Sequence, residues 1–253
     1  MAGPTPLRLG LIGIGGRMGQ EIVALAEADP SVIVRGGIGR EDSADLANLV
    51  RDCDVLIDFS TPESSITAAS AAAGAGRPIV IGTTGLEADQ LALLRDASER
   101  VPVWYARNMS TGVSLLQRVL PEIARALAGY DIELIEAHHR HKADAPSGTA
   151  LMLAEAILAG LSDAEAHPLV HGRAGYAPRQ PGEIGIHAVR GGGNSGEHTM
   201  LFTSDEEEIR ISHRAYSRRA FAAGAIRAAR AIHGQPPGWY GPEEHVISSA
   251  FVS

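Results

Sequence analysis

The chain has 253 residues, of which 45% are hydrophobic and 21% are charged, and its formal net charge is −8. This composition is ordinary for a globular protein, and the length suffices for one large domain or two smaller ones. The acidic balance excludes a general attraction for nucleic acid or for an anionic membrane, so an anionic ligand must meet a local cationic cluster. The single cysteine, Cys53, excludes an internal disulfide and fits a reducing compartment.

The first residues contain no basic region followed by a long apolar run, so we expect no signal peptide. Apolar runs elsewhere are strand-sized, well below the ~20 residues that a membrane-spanning helix needs. We therefore expect a cytoplasmic protein.

The amino-terminal part of the chain alternates short apolar runs with helical patterns. The predicted strands are Leu7–Ile14, Val32–Ile38, Asp54–Ser60, Pro78–Thr84 and Val101–Ala106. The predicted helices are Gly16–Ala28, a weaker one at Ser43–Val50, Pro62–Ala75 and Glu87–Arg100. Strands this apolar, separated by helices, predict a parallel sheet covered on both faces. The fold class is therefore α/β, with a doubly wound, Rossmann-like domain that binds its ligand at the carboxyl ends of the strands.

The pattern changes after Asn108. The predicted elements are a helix at Gly112–Leu127, a strand at Asp131–Ala137, a helix opening at Ser147, and strands at Ile184–Arg190, His198–Thr203 and Glu208–Ala215. These strands predict a mixed or antiparallel sheet in a second, α+β domain. A last helix near Arg218–His233 carries one apolar stripe, and periodicity alone leaves open which domain it joins.

A glycine-rich loop follows the first predicted strand: Gly13, Ile14, Gly15, Gly16, Arg17, Met18 and Gly19. Glycines at 13, 16 and 19 fit G-x-x-G-x-x-G better than the common G-x-G-x-x-G. Such a loop lets the backbone approach a pyrophosphate, whose charge the free amides and the helix dipole stabilise. The position favours a dinucleotide cofactor; the alternative is a tight turn without a ligand.

Two further loops follow predicted strands: Gly82, Thr83, Thr84 and Gly85, and then Ala106, Arg107, Asn108 and Met109. Small and amide-bearing residues there would let a nicotinamide lie flat and hydrogen-bond its carboxamide. Taken singly, each loop is more typical of a structural turn. Together, at the ends of successive strands, they favour one extended cofactor site.

The densest chemical feature is a cationic cluster in which His138, His139, Arg140, His141 and Lys142 are consecutive. These groups repel one another unless anions or local carboxylates compensate them. Histidine titrates near neutrality and lysine can donate a proton or contact a carboxylate, so the cluster suits a small dicarboxylate substrate. The alternatives are a metal site, for which zinc-like ligand spacing is missing, and a solvated basic face.

If this segment stays extended, His138, Arg140 and Lys142 share one face. Just downstream, Ser147 suits the N-cap of a helix, and the amides near Gly148 and Thr149 would be free donors at its positive end. A carboxylate bound there would have its other end within reach of the histidines.

The ordered motifs resemble the dihydrodipicolinate reductase family over roughly residues 7 to 233. The motifs that carry the resemblance are Gly13–Gly19, Asp58-Phe59-Ser60, Gly82–Gly85, His138–Lys142, Ser147–Thr149, His187–Gly192, Gly196–Thr199 and the stretch around Ile211–Arg214. The resemblance implies NADH- or NADPH-dependent reduction of the cyclic imine dicarboxylate 4-hydroxy-tetrahydrodipicolinate to tetrahydrodipicolinate, in lysine and diaminopimelate biosynthesis. It also implies a dinucleotide-binding domain at 1–109 and 217–253, a substrate-binding and oligomerisation domain at 110–216, and a homotetramer.

The resemblance also implies roles for single residues. His138 would be the acid/base residue and Lys142 the proton donor. The substrate-binding residues would be His139, Lys142, Gly148 and Thr149. The cofactor-binding residues would be Gly13, Ile14, Gly15, Gly16, Arg17, Met18, Arg40, Gly82, Thr83, Thr84, Ala106, Arg107, Asn108 and Met109.

The sequence departs from the usual family pattern at Gly39, Arg107 and Met109. Gly39 stands where an acidic residue would bind the ribose hydroxyls of NAD, and Arg40 follows at once, so we expect NADPH to be preferred. Glu41 and Asp42 lie close behind and are alternative acids. The rival functions are a related imine or semialdehyde reductase and a catalytically silent dinucleotide-binding regulator.

Overall fold

A computed structural model describes residues 5–39, 46–163 and 166–242. The strands are β1 Leu7–Ile12, β2 Val32–Ile38, β3 Val55–Asp58, β4 Ile79–Ile81, β5 Pro102–Tyr105, β6 Asp131–His138, β7 Leu169–His171, β8 Ile184–Arg190, β9 Glu197–Thr203, β10 Glu208–Arg214 and β11 Gly238–Tyr240. The helices are α1 Arg17–Glu27, α2 Leu46–Asp52, α3 Pro62–Ala75, α4 Ala88–Ser98, α5 Thr111–Ala126, α6 Gly148–Leu158 and α7 Arg219–Ile232. By its internal contacts the chain forms two compact units, one running to Thr111 and resuming at Arg218, the other spanning Gly112–Ser217.

The described strands of the first unit form a parallel sheet in the order β11-β5-β4-β3-β1-β2. Its central strands are buried on both sides because alternate residues enter two cores. One core contains Leu11, Ile57 and Val80 and is packed by α1 and α7. The other contains Leu56 and Ile79 and is packed by α2, α3 and α4. The direction of the strand order reverses around β1, and parallel α/β sheets bind ligands outside the carboxyl ends of strands at such a point.

Helix α3 shows why some boundaries follow from local chemistry. Thr61 is its N-cap and accepts a hydrogen bond from the Ser64 amide, Pro62 occupies the first turn, and Gly76 ends the helix in the left-handed conformation at φ 65°. A hydroxyl cap, an early proline and a terminal glycine are the preferred residues at those positions. The predicted range Pro62–Ala75 is confirmed for this reason.

In the second unit a mixed sheet runs β10-β9-β6-β8-β7 through the described residues, with β6, β8 and β7 parallel and β9 antiparallel to both β6 and β10. Helices α5 and α6 cover one face, where Leu134, Leu153 and Phe202 form a buried core. Side chains alternate along β6, so Ile132, Leu134, Glu136 and His138 all lie on the buried face. The opposite face carries Ile135 and Val189, which are 38% and 50% exposed.

The predicted fold class is confirmed, and most predicted elements are present. Strands β2 and β8 have the predicted bounds, whereas Leu7–Ile14, Asp54–Ser60 and Pro78–Thr84 were predicted too long because each apolar run continues into a turn. Strands β7 and β11 were not predicted. Each has only three residues, too few to show periodicity. The weak helix predicted at Ser43–Val50 is α2, which begins at Leu46 among the described residues and extends to Asp52.

Candidate active site

The glycine loop (Gly13–Gly19) joins β1 to α1 in a conformation that needs its glycines. Gly13 has φ +83°, and a Cβ there would lie 2.3 Å from the Phe59 carbonyl oxygen. A Cβ on Gly19 would lie 2.4 Å from the Gly13 carbonyl oxygen. Around Gly15, by contrast, no described atom lies within 4 Å of the position of a Cβ. Gly13 and Gly19 are therefore needed for the turn itself, while Gly15 leaves open space above the loop.

This open space belongs to a cavity of about 710 Å³ at the carboxyl ends of β1, β2 and β3. The lining includes three glycines of the loop and small polar residues at the start of α3: Ile12, Gly13, Gly15, Gly16, Ile38, Gly39, Leu46, Phe59, Ser60, Thr61, Glu63, Ser64, Thr67 and Ala68. The N-cap of α1 is Gly16, which offers no side-chain cap. The first amides of α1 therefore have neither an intrahelical acceptor nor a capping side chain, which suits them to a phosphate group.

A buried carboxylate, that of Asp58, holds together the segments that lie beside the cavity. It is fully buried at the end of β3, and it accepts hydrogen bonds from the hydroxyls of Ser60, Ser65 and Thr83, the last at 2.9 Å. Burial raises the pKa of Asp58, and the three hydroxyls oppose that effect only in part. Asp58 thus ties the ends of β3 and β4 to the first turn of α3, beside the cavity.

The other residues predicted to bind the cofactor lie at the carboxyl ends of β4 and β5. Gly82 is packed so tightly that a Cβ would lie 2.2 Å from the Phe59 ring. The hydroxyl of Thr83 is directed toward Asp58, so its side chain has a structural role. Ala106 and Met109 are buried in the core with α7, so only their backbone can reach a ligand. Arg107 is exposed, and Arg40 lies outside the described residues.

In the second unit, five side chains from four elements form what we call the Glu136 cluster: Glu136 and His138 on β6, Ser147 at the start of α6, Arg190 on β8 and His198 on β9. His138 Nδ1 lies 2.6 Å from Glu136 Oε2. Arg190 donates to both carboxylate oxygens of Glu136, at 2.8 and 2.7 Å. The rings of His138 and His198 meet edge to face with centroids 5.2 Å apart.

The segment after His138 does not stay extended. Strand β6 ends at His138, and the chain turns at once, with the Lys142 amide donating to the His139 carbonyl at 3.1 Å. The expectation that His138, Arg140 and Lys142 share one face is therefore wrong. The turn leaves Arg140 and His141 exposed and pairs Lys142 Nζ with Asp144 Oδ1 at 2.8 Å. Local carboxylates, Asp144 and Glu136, thus compensate part of the cationic cluster.

The start of α6 matches the sequence prediction. Ser147 is the N-cap, and its hydroxyl accepts a hydrogen bond from the Ala150 amide at 3.1 Å. The same hydroxyl lies 3.1 Å from His198 Nε2. Because the serine oxygen already accepts from Ala150, its proton is available for the histidine. Among the described residues, no atom lies within 4 Å of the place that a Cβ on Gly148 would take, so the helix end is open on that side, while the Gly148 amide donates to the Asp144 carboxylate.

Electrostatics differ sharply within the Glu136 cluster. Burial favours the protonated form of Glu136, but hydrogen bonds from Arg190, His138 and the Ser147 amide outweigh it and hold its pKa below the usual range. Burial lowers the pKa of His138, and the neighbouring carboxylate offsets only part of that effect. Burial, aided by the charge of His138, lowers the pKa of His198 to about 3. His198 is therefore a neutral hydrogen-bonding group.

Comparison with known proteins decides the family. Two protein-family models match the chain. The family model described as dihydrodipicolinate reductase, N-terminus, matches residues 7–109, and the one described as dihydrodipicolinate reductase, C-terminus, matches residues 112–246. The chain belongs to the dihydrodipicolinate reductase family.

Curated relatives within the dihydrodipicolinate reductase family are similar along nearly their whole length. The 4-hydroxy-tetrahydrodipicolinate reductase of Thermomicrobium roseum is 49% identical, covering 95% of this chain and 99% of the relative. The enzyme of the same name from Rubrobacter xylanophilus is 43% identical, covering 96% and 99%. Among solved structures, a dipicolinate-bound dihydrodipicolinate reductase from Paenisporosarcina sp. TG-14 superposes with a TM-score of 0.74 at 22% identity, covering 94% and 99%, which supports the fold.

Within this family framework, sequence reasoning missed three members of the Glu136 cluster. Arg190 and His198 lie within motifs that carry the resemblance, but neither was predicted to belong to the site, and Glu136 was not predicted either. The sequence does contain a signal for Glu136, because hydrophobic and polar residues alternate along β6 and β8. Glu136 stands two residues before His138 and therefore points to the same face of the sheet. The pairing of β6 with β8 and β9, which brings Arg190 and His198 to that face, depends on long-range topology.

No helix in the described ranges 5–39, 46–163 and 166–242 is long and apolar enough to cross a membrane. In that same part of the chain, no three His, Cys, Asp or Glu side chains gather in a way that could hold a metal ion.

Proposed function

We propose that this chain is a 4-hydroxy-tetrahydrodipicolinate reductase, an oxidoreductase that uses NADH or NADPH to reduce a cyclic imine dicarboxylate to tetrahydrodipicolinate in lysine and diaminopimelate biosynthesis. The observation that carries the proposal is the Glu136 cluster beside Lys142 and the open end of α6, in a chain of this family. A proton-transfer histidine, a primary ammonium group and a helix N-terminus are the groups that a dianionic substrate with a site of protonation requires.

The first unit would be the dinucleotide-binding domain, because its cavity has the properties that a pyrophosphate needs. The open space over Gly15 admits close backbone approach, and the first turn of α1 supplies free amides. The residues proposed to hold the cofactor are Gly13, Ile14, Gly15, Gly16, Arg17, Met18, Arg40, Gly82, Thr83, Thr84, Ala106, Arg107, Asn108 and Met109. When bound, the reduced nicotinamide supplies the hydride.

The second unit would be the substrate-binding domain. His139, Lys142, Gly148 and Thr149 are proposed to bind the substrate, with the Gly148 and Thr149 amides taking one carboxylate at the positive end of α6. Lys142 Nζ already pairs with the Asp144 carboxylate, so it is suited to pairing with a carboxylate of the substrate. Charges fixed before the substrate arrives stabilise developing charge without reorganisation.

Proton transfer is assigned to His138 and Lys142. Reduction of the conjugated ring leaves electron density that must accept a proton at C3, and Lys142 Nζ is the proposed donor. His138 is the proposed acid/base residue, with Nδ1 on Glu136 and Nε2 facing Gly196. Each group is positioned by an anionic neighbour, Glu136 for His138 and Asp144 for Lys142.

The decisive experiment is a steady-state assay on purified protein. We expect NADH or NADPH to be consumed only when the freshly made product of dihydrodipicolinate synthase is present. A folded sample without turnover with either cofactor would refute the proposal and favour a silent dinucleotide-binding regulator. Turnover with other imines or semialdehydes, but not with the synthase product, would identify a related reductase.

We further propose a homotetramer located in the cytoplasm. The support for assembly is the helix-free face of the second unit's sheet, where Ile135 and Val189 are partly exposed. Light scattering should give four times the chain mass of 26.5 kDa, and fractionation should recover the protein with cytoplasmic enzymes. A monomer in solution, or recovery outside the cytoplasmic fraction, would contradict the respective proposal.

A further inference from the structure

Glu136 is the most completely hydrogen-bonded side chain of the site. It is fully buried. Its Oε2 contacts His138 Nδ1 at 2.6 Å and accepts from Arg190 at 2.8 Å, while its Oε1 accepts from Arg190 at 2.7 Å and from the Ser147 amide at 2.9 Å. A buried carboxylate with this many donors is stable as an anion. One carboxylate therefore contacts both the proton-transfer ring and the end of α6.

An ionised carboxylate can only accept hydrogen bonds, so the short contact requires the ring proton of neutral His138 to be on Nδ1. Nε2 then carries the lone pair. An ideal Cβ on Gly196 would lie 3.0 Å from this Nε2 atom, and Gly196 has φ +140°, a conformation that side chains rarely adopt. A glycine at this position thus keeps the environment of Nε2 uncrowded.

We propose that Glu136 is a positioning residue of the reaction: it fixes the proton of His138 on Nδ1, directs Nε2 to the reacting ring, and holds the amino end of α6 in register with that histidine. This inference rests on the proposed reductase function. Arg190 keeps the buried carboxylate ionised, because its guanidinium donates to both oxygens. Glu136 itself does not touch the substrate in this proposal and acts through His138 and Ser147.

The charged and titratable groups around His138 come from every element packed against it. Glu136 precedes it on β6, Arg190 lies on β8, His198 lies on β9, and Lys142 follows in the turn. Of these, only Glu136 is anionic. Removing its charge leaves cations and a neutral ring around His138, so the pKa of His138 must fall further.

The chain provides a matched control on the same strand. Glu133 also contacts a histidine, with Oε2 2.7 Å from His187 Nε2, and an arginine, with Oε1 2.9 Å from Arg173. Because side chains alternate along β6, Glu133 lies on the opposite face of the sheet from Glu136. Glu133→Gln removes a carboxylate of the same chemistry without touching the site.

The test combines kinetics with nitrogen NMR of ¹⁵N-histidine-labelled protein, in which His138→Gln identifies the His138 signals. We expect wild type near pH 7.5 to carry the proton on Nδ1 without any substrate present. In Glu136→Gln the amide would donate toward Nδ1, so the proton should move to Nε2. The kcat should fall about 10²-fold, and the His138 limb of its pH profile should shift about one unit lower. Glu133→Gln should leave the His138 tautomer, the kcat and the pH profile unchanged.

Two outcomes would overturn the inference: a wild-type His138 with its proton on Nε2, or a Glu136→Gln protein whose tautomer and kcat match those of wild type. If Glu136→Gln does not fold because Arg190 loses its partner, the double variant Glu136→Gln/Arg190→Met is used in its place, because it also removes the unpaired guanidinium charge. If wild type shows no turnover, the proposed reductase function fails. The tautomer measurement still decides the positioning of His138, because it needs no substrate.

Discussion

The glycine loop of the first unit presents backbone groups, whereas the Glu136 cluster of the second unit presents side chains. The loop offers backbone amides and open space, and its glycines matter because a side chain would fill that space or clash with a carbonyl. The cluster consists of four ionisable side chains and one serine hydroxyl, each in contact with another member. A substitution in the loop should therefore change binding or folding, whereas one in the cluster should change rate and pH response.

The largest expected effect tests the chemical side of this comparison. His138→Gln and Lys142→Ala should each lower kcat by roughly 10²- to 10⁴-fold, because each removes a group assigned to proton transfer. Cofactor affinity, measured by fluorescence titration, should barely change, because the proposed cofactor contacts lie outside the cluster. Near-wild-type kcat in both variants would show that the roles are misassigned.

Arg40→Ala tests the role of a single cationic side chain in the proposed cofactor region. Gly39 carries no acid to repel a 2′-phosphate, and a charge-assisted hydrogen bond from Arg40 would contribute about 1.5–3 kcal/mol, or roughly 10- to 150-fold in affinity. We expect kcat/KM for NADPH to fall by that factor while kcat/KM for NADH stays level. A wild-type preference for NADH, or an unchanged NADPH efficiency in the variant, contradicts this prediction.

Two glycine substitutions separate the loop's folding role from its binding role. Gly13→Ala puts a Cβ 2.3 Å from the Phe59 carbonyl oxygen at φ +83°, so the free energy of unfolding should drop by at least ~1–2 kcal/mol. Gly15→Ala meets no described atom within 4 Å, so its stability should stay within ~0.5 kcal/mol of wild type.

The affinity of Gly15→Ala for the cofactor should nevertheless weaken about tenfold, because its methyl group would occupy the space through which the pyrophosphate is proposed to approach the backbone. Urea unfolding and isothermal titration measure the two effects. Full cofactor affinity in Gly15→Ala would show that the open space is not the binding site.

His198 supplies the smallest and most specific effect. Its pKa is lowered to about 3 in the folded protein. Below about pH 6.5 the unfolded chain therefore binds a proton at His198, whereas the folded chain does not bind it until the pH approaches 3. The stability that His198 contributes is present above that pH and is lost as the pH falls toward 3, at up to about 1.4 kcal/mol per pH unit.

Urea unfolding of wild type and His198→Asn between pH 6.5 and 5 should therefore show a shallower pH dependence in the variant. Carboxylates such as Asp54 stay ionised in both proteins over that window and cancel in the difference. Equal slopes would mean that His198 is not protected from protonation by the fold.

The same contrast explains what the sequence could predict. The glycine loop, helix α3 and the start of α6 are set by neighbours in the sequence, so periodicity and capping residues located them. His138 was predicted because it stands in a local run of cationic residues, whereas Glu136 was not predicted. Arg190 and His198 reach the site only through the pairing of β6 with β8 and β9, which no local pattern encodes. The three-residue strands β7 and β11 depend on partners far along the chain as well.

Strand β11 has a consequence for synthesis on the ribosome. The first unit's sheet is completed by residues 238–240 pairing with β5, and α7 closes one of its cores. Both leave the ribosome after the whole of Gly112–Ser217, which is continuous in sequence. The second unit can therefore close while the earlier strands still expose the apolar surface that α7 will cover. The first unit can complete its fold only after α7 and β11 have been synthesised, so chaperone binding to the nascent chain should concentrate on the first unit.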